Sequence, residues 1–261
     1  MVQTREQSRR FSDLTYREIR ACAQQDWLVV IPTGCTEQQG PHLPVDFDTW
    51  FAENLMVAAA EKAAQEYGVQ ALVLPAMPFG PTPEHRHFDS GFIDLPVALH
   101  DALTEAILSS LVAQGFQRMI LWRGCGGHDL SEVVDRFNQM HQRKALAFLP
   151  PSPFHEIWCR VADPAVPGGH ADSFTTSISL YLRPESVRAD QIWDPHSTAV
   201  DWKDPHLDFA HYSATGVIGD PTQASAALGR KLWEAAVEEA AQTFKMAAEV
   251  DPLPEALDAG S

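Results

Sequence analysis

The stretch WLVVIPTGCTEQQGPHLPVDFD, residues 27–48, decides the fold. It begins as an apolar run, Trp27 to Ile31, and ends in a turn rich in Gly and Pro. Glu37, Gln38, Gln39, His42, Asp46 and Asp48 then fall within twelve residues. A short buried strand leading into such a loop is how an α/β sheet presents chemistry at a strand's carboxyl end.

The same unit recurs along the chain. Residues 70–75 (QALVLP), 117–122 (QRMILW) and 145–149 (ALAFL) predict three further strands. Residues 49–67 predict a helix, with Ala52, Leu55, Met56, Ala59, Ala60 and Ala63 on one face and Gly68 as its C-terminal cap. Pro96 opens a helix to Gln114, which Gly115 stops. Thr15 to Glu18 reads as a capping box before a short helix to Gln24. Asp129 and Ser131 can cap a helix to Arg143. Residues 173–182 and 222–248 predict two more helices. Proline dominates residues 150–167, and residues 190–223 read as an irregular segment able to cover a site. Residues 1–12 and 251–261 read as loose ends of one domain spanning 1–261. Alternating strands and helices with short connections predict an α/β fold, a mostly parallel sheet flanked by helices on both faces. The loops after the strands then share one edge, where ligands bind.

Composition bounds the partners. A net charge of −16 argues against nucleic acid and against an anionic membrane surface. No apolar run approaches the ~20 residues that span a bilayer, and the start of the chain lacks the apolar core of a secretory signal. The four cysteines, Cys22, Cys35, Cys125 and Cys159, form no CxxC pair and read as reduced thiols of a cytoplasmic protein.

Four clusters carry chemistry. Glu37, His42, Asp46 and Asp48 can hold a divalent metal, although Asp48 can equally cap the following helix. Glu84, His85 and His87 form the second cluster. In an extended segment His85 and His87 face the same way, as ligands or as loop histidines bonded to backbone. In the third, RGCGGHD (123–129), the glycines turn the backbone tightly before a helix start that would shift Cys125 toward thiolate. Cys125 is then a nucleophile, a metal ligand or a packed small residue. His170 and Asp172 are the fourth, a general acid/base with its orienting carboxylate or a structural His beside a capping Asp. Trp50, Phe154, Trp158, Trp193 and Trp202 can supply flat apolar walls for a ring, or simply core.

In order along the chain, these segments resemble the creatininase family. GCTEQQGPHLPVDFDT (34–49) is similar to its opening G-x-x-E-x-H-G-P-H-L-P motif and following Asp, and GPTPEHRHF (80–88) to G-x-S-x-E-H-x-x-F. GCGGHD (124–129) sits where the family has G-H-G-G-N, GGHADSFTTS (168–177) resembles H-A-G-E-x-E-T-S, and GVIGDPTQASAALG (216–229) resembles G-V-x-G-D-P. The resemblance implies an α/β sandwich assembled as a hexamer, and a metal-dependent hydrolase of small, often cyclic, amides. It implies metal-ligand positions for Glu37 and Asp48 and a catalytic role for His170. Four family positions differ here. Gln39 replaces a ligand His, Cys125 replaces the His of the glycine motif, and Ser173 and Thr175 replace two glutamates. His128 and Asp172 stand outside the family pattern.

Three functional readings follow. The first is a hydrolase of a small amide, cyclic or open-chain, with Glu37, Asp48 and Cys125 or His128 on a divalent metal (Zn, Mn or Fe) and His170 moving the proton. Gln39, His42, Glu84, His85 and Trp158 would line its substrate pocket. The second is metal-free, with Cys125 as nucleophile, His170 or His128 as base and Asp172 as orienter. The third is a non-catalytic member that binds a small ligand or a partner protein.

Overall fold

The computed structural model describes residues 8–142, 144–193, 198–204 and 206–251. The remaining parts of the two chain ends, 1–7 and 252–261, lie outside the described residues. Four strands form one sheet in the order β2-β1-β3-β4: β1 (Leu28–Thr33), β2 (Ala71–Val73), β3 (Arg118–Arg123) and β4 (Leu146–Phe148). Every pairing is parallel, with Val30 opposite Val73 on one side and Ile120 on the other. Seven α-helices accompany them among the described residues: α1 (Tyr16–Gln24), α2 (Phe47–Tyr67), α3 (Val97–Ala113), α4 (Ser131–Met140), α5 (Phe154–Val161), α6 (Ser173–Leu182) and α7 (Ala226–Glu249).

The period of two along the strands divides the core into two layers. Leu28 and Val30 of β1 and Ile120 and Trp122 of β3 face a cluster completed by α2, α5, α6 and α7. Val29, Ile31, Met119 and Leu121 face the opposite cluster, with α1, α3 and α4. The expected α/β sheet with helices on both faces is therefore present. Element ends move by a few residues from the expected bounds, most at α7, which begins at Ala226 because Ser225 caps it. Gly68 (φ +70°) ends α2 in the left-handed conformation that a glycine tolerates.

One element departs from expectation. The proline-rich segment 150–167 contains α5, because FHEIWCRV between Pro153 and Pro164 holds neither Pro nor Gly. Its Ile157 and Trp158 are buried against the α2/α7 layer.

Between β1 and β3 the chain changes direction, since β2 lies on one side of β1 and β3 on the other. The loops after β1 and β3 diverge there, which opens a crevice at the carboxyl end of the sheet. Gly124 makes this junction close: a Cβ on it would clash with Ala52 and with the carbonyl oxygen of Thr33.

Candidate active site

Glu37 is the hub of that crevice. It comes from the loop after β1 and is 4% exposed. Its Oε1 receives His170 Nε2 at 3.0 Å and Gln39 Nε2 at 3.2 Å. Its Oε2 receives Cys35 Sγ at 3.1 Å and Cys125 Sγ at 3.6 Å, and faces His85 Nε2 at 3.4 Å. Burial raises the Glu37 carboxyl, but the imidazoles of His170 and His85 outweigh it and hold the group well below its ordinary range. Asp48, in the first turn of α2, offers Oδ2 to Gln39 Nε2 at 2.9 Å and to Cys35 Sγ at 3.2 Å. Burial and then the Glu37 charge raise the Asp48 carboxyl well above normal.

His170 is placed by an antiparallel bridge to Ile218, and its Nδ1 bonds the carbonyl of Gly216 at 2.9 Å. Each ring nitrogen thus faces an acceptor, which a neutral imidazole with one N–H cannot satisfy. Burial lowers this imidazole, but the Glu37 carboxylate lifts it to about 8. His85, on a short 3₁₀ turn (Pro83–His85), accepts from Gln38 Nε2 at 3.3 Å through Nδ1. That leaves the Nε2 proton aimed at Glu37 without a formed hydrogen bond.

Loops after β1, β2 and β3 and the strap before α6 thus bring Glu37, Asp48, Glu84, His85, Cys125, His128 and His170 together. Several residues stand elsewhere than the sequence suggested. Asp172 does not orient His170; its Oδ1 caps α6 through Phe174 and Thr175 and its Oδ2 holds the Gly169 amide at 2.7 Å. Asp48 does not cap α2. His42 lies behind the site, fully buried, with Nε2 on Thr176 Oγ1 at 2.8 Å. Asp46 turns away to a salt bridge with Arg183 at 2.8 Å. His85 and His87 diverge: the turn buries His85 and sends His87 to the surface beside Asp208. Cys125 lies six residues before α4, which starts at Ser131, and so is not at the helix start that the sequence suggested. The Cys35 thiol pulls Cys125 down, but burial and the Glu37, Asp48 and Glu84 carboxylates push it up to about 12.

Sequence reasoning left Cys35 out of the site. Two residues before Glu37, it touches both carboxylates. The only signal available was its place at the end of the first strand.

The cluster opens on a cavity of about 570 Å³. Glu37, Gln39, Asp48 and His170 form its floor, and Phe154, Trp158, Phe174 and Trp202 its apolar walls. His42, Glu84 and His85 are not among its lining residues. Glu84 is buried, raised to about 7 by burial, and packs where a side chain on Gly127 would stand. Trp193 is exposed, and Trp50 packs under the Arg183 guanidinium at 3.8 Å.

The donor set fits a divalent cation. Among the described residues, Glu37/His85/His170, Cys35/Glu37/Asp48, Glu37/Glu84/Cys125 and Cys35/Cys125/His128 each place their ligand atoms within 4.8 Å of one another. The Gln39 amide spans the two carboxylates as a neutral substitute for positive charge, and its own Oε1 is buried without a partner. Buried carboxylates this close call for a cation or a shared proton.

Comparisons with known proteins agree with this architecture. The creatininase family profile, described as creatinine amidohydrolase, matches residues 12–244. The Mycobacterium tuberculosis (strain H37Rv) protein named mycofactocin precursor peptide peptidase is 31% identical over 226 residues, covering 81% of this chain and 82% of that protein. The Pseudomonas putida creatinine amidohydrolase is 26% identical over 260 residues, covering 89% and 95%. A solved structure described as "Creatininase Mn" superposes with a TM-score of 0.79 at 22% identity, over 94% of this chain and all of that one, which shows the fold. No described helix is long and apolar enough to cross a membrane. The chain belongs to the creatininase family and is, with it, a hydrolase of amide C–N bonds.

Proposed function

We propose that the crevice hydrolyses an amide C–N bond flanked by a flat apolar group, in a small substrate of cyclic or open-chain form. The observation that carries this reading is the meeting of Glu37, Asp48 and His170 at the floor of an aromatic-walled cavity of about 570 Å³. Glu37 and Asp48 would hold a divalent ion, with zinc, manganese or iron as candidates. When bound, the ion supplies a polarised carbonyl and a readily deprotonated water. His170 holds its proton at Nε2, 3.0 Å from Glu37 Oε1, and can pass it to the departing nitrogen. The Gly216 carbonyl fixes the ring during this transfer. Phe154, Trp158, Phe174 and Trp202 hold the apolar group and keep water from the floor.

A second substrate class has support from the comparisons: the cavity is roomier than one small ring needs, and the mycobacterial relatives are named for a precursor-peptide peptidase. An amide near the end of a short aromatic peptide is that second class. The metal-free reading has less support, since Cys125 is surrounded by carboxylates and its thiol is held protonated. The test is hydrolysis of a panel of lactams, cyclic imides, creatinine and short aromatic peptides, before and after chelation. Turnover that chelators abolish and added metal restores is expected. Turnover indifferent to chelators would return the metal-free reading, and no turnover of any panel member would leave the ligand-binding one.

A further inference from the structure

The proposed reaction leaves two buried thiols without a task. Cys35 ends the β1 side of the crevice and Cys125 the β3 side. Their sulfurs share one oxygen, Glu37 Oε2, at 3.1 and 3.6 Å, and Cys35 Sγ also lies 3.2 Å from Asp48 Oδ2. Zinc bonds of about 2.3 Å to sulfur and 2.1 Å to oxygen, at tetrahedral angles, put neighbouring ligand atoms about 3.6 Å apart. The Cys125–Glu37 separation of 3.6 Å matches such an edge, and the two Cys35 separations, at 3.1 and 3.2 Å, are shorter than it. A ring nitrogen of His128 lies within 4.8 Å of both sulfurs, and all three residues are buried. His128 is 1% exposed, with Nδ1 3.5 Å from Thr33 Oγ1 and Nε2 packed against Gly80. A thiol is a weak donor, so two thiols against two carboxylates serve those carboxylates poorly unless a cation joins them.

We propose that Cys35, Cys125 and His128 are the three protein ligands of a zinc-class ion beside the Glu37–Asp48 pair, its fourth corner turned toward Glu37 and the cavity. The proposal deepens the hydrolase reading and rests on it only for placing the ion beside the reaction floor. Thiolate ligands select Zn²⁺, Co²⁺ or Cd²⁺ over Mn²⁺ and Mg²⁺.

The experiment titrates the metal-stripped full-length protein with Co²⁺ and reads thiolate-to-cobalt charge-transfer absorption in the near ultraviolet. Cys35→Ser, Cys125→Ser and, as control, Cys159→Ser are titrated alongside, with folding checked by circular dichroism. Expected are Co²⁺ bound with a thiolate band, loss of that band in the first two variants, retention in the third, and Zn²⁺ held at the thiolates against a large excess of Mn²⁺. If the first two variants fail to fold, the wild-type band decides the matter. Binding without a thiolate band, displacement of Zn²⁺ by Mn²⁺, or no bound ion would each overturn the proposal. Chelator-sensitive turnover without a thiolate band would sink this site and spare the hydrolase reading. A thiolate band with no turnover would do the reverse.

Discussion

At Gln39 a single amide group bridges two buried carboxylates, at 3.2 Å from Glu37 and 2.9 Å from Asp48. Gln39→Leu removes both donors and leaves the oxygens without them. A loss of about 1–3 kcal/mol is expected, read from urea unfolding midpoints. A midpoint within error of the parent would mean that water serves the carboxylates instead. His170 is the other residue whose removal is informative. His170→Asn is expected to lower kcat by roughly 10²–10⁴-fold on any panel amide while the unfolding midpoint shifts much less. The sequence brought Glu37, Asp48, Cys125 and His170 to attention because each follows a strand or a glycine pair. It could not show that Cys35 faces both carboxylates, because that contact depends on how tightly the β1 loop turns back onto α2. Nor could it separate His85 from His87, since the 3₁₀ turn that splits them has no strong local signature.

Helix α6 depends on Asp172 for both its start and the strap before it. One carboxylate oxygen caps two α6 amides and the other holds Gly169, whose loop lines the cavity. Asp172→Ala should cost about 1 kcal/mol or somewhat more. It should also raise KM, because the Gly168–Gly169 wall loses its anchor; an unchanged KM would confine Asp172 to capping. Further along, α6 and α7 cross at Gly229, where a Cβ would overlap the Ser177 carbonyl and meet Tyr181 at 2.9 Å. Gly229→Ala should therefore destabilise by about 1–3 kcal/mol despite alanine's better helix propensity. A variant as stable as the parent would show that the two helices can slide apart. The regular elements were legible because β1 to β4 are apolar runs and α2 carries its apolar face at helical spacing. Helix α5 was not, because the surrounding prolines masked one uninterrupted run of eight residues, Phe154–Val161.

Across the whole molecule, acid should weaken the fold through histidines kept neutral by burial. His42 is the clearest case. Burial first, and then the His170 charge, lower its imidazole to about 4 from 6.5. The unfolded chain takes up the proton as pH drops below 6.5, while the folded chain resists until about 4. The His42 contribution is therefore fully present above that window and lost through it, on the order of 3 kcal/mol. In a variant carrying His42→Gln, the stability difference from the parent should shrink between neutral pH and the bottom of the window, as measured by urea unfolding. A difference independent of pH would mean that His42 takes up its proton equally in the folded and unfolded chains.

The packing of α2 against α7 also has a consequence for synthesis. α2 follows the central strand β1, yet much of its apolar face is covered by Leu232, Ala236, Ala240 and Phe244 near the far end of the chain. Lys62 and Tyr67 of α2 likewise reach Glu238 of α7. A chain emerging from the ribosome at about 5–20 residues per second must carry that face uncovered for roughly ten to forty seconds before α7 appears. Through that interval the nascent chain is a natural client for chaperones, and a message cut short before residue 226 would yield a product that aggregates rather than a smaller enzyme.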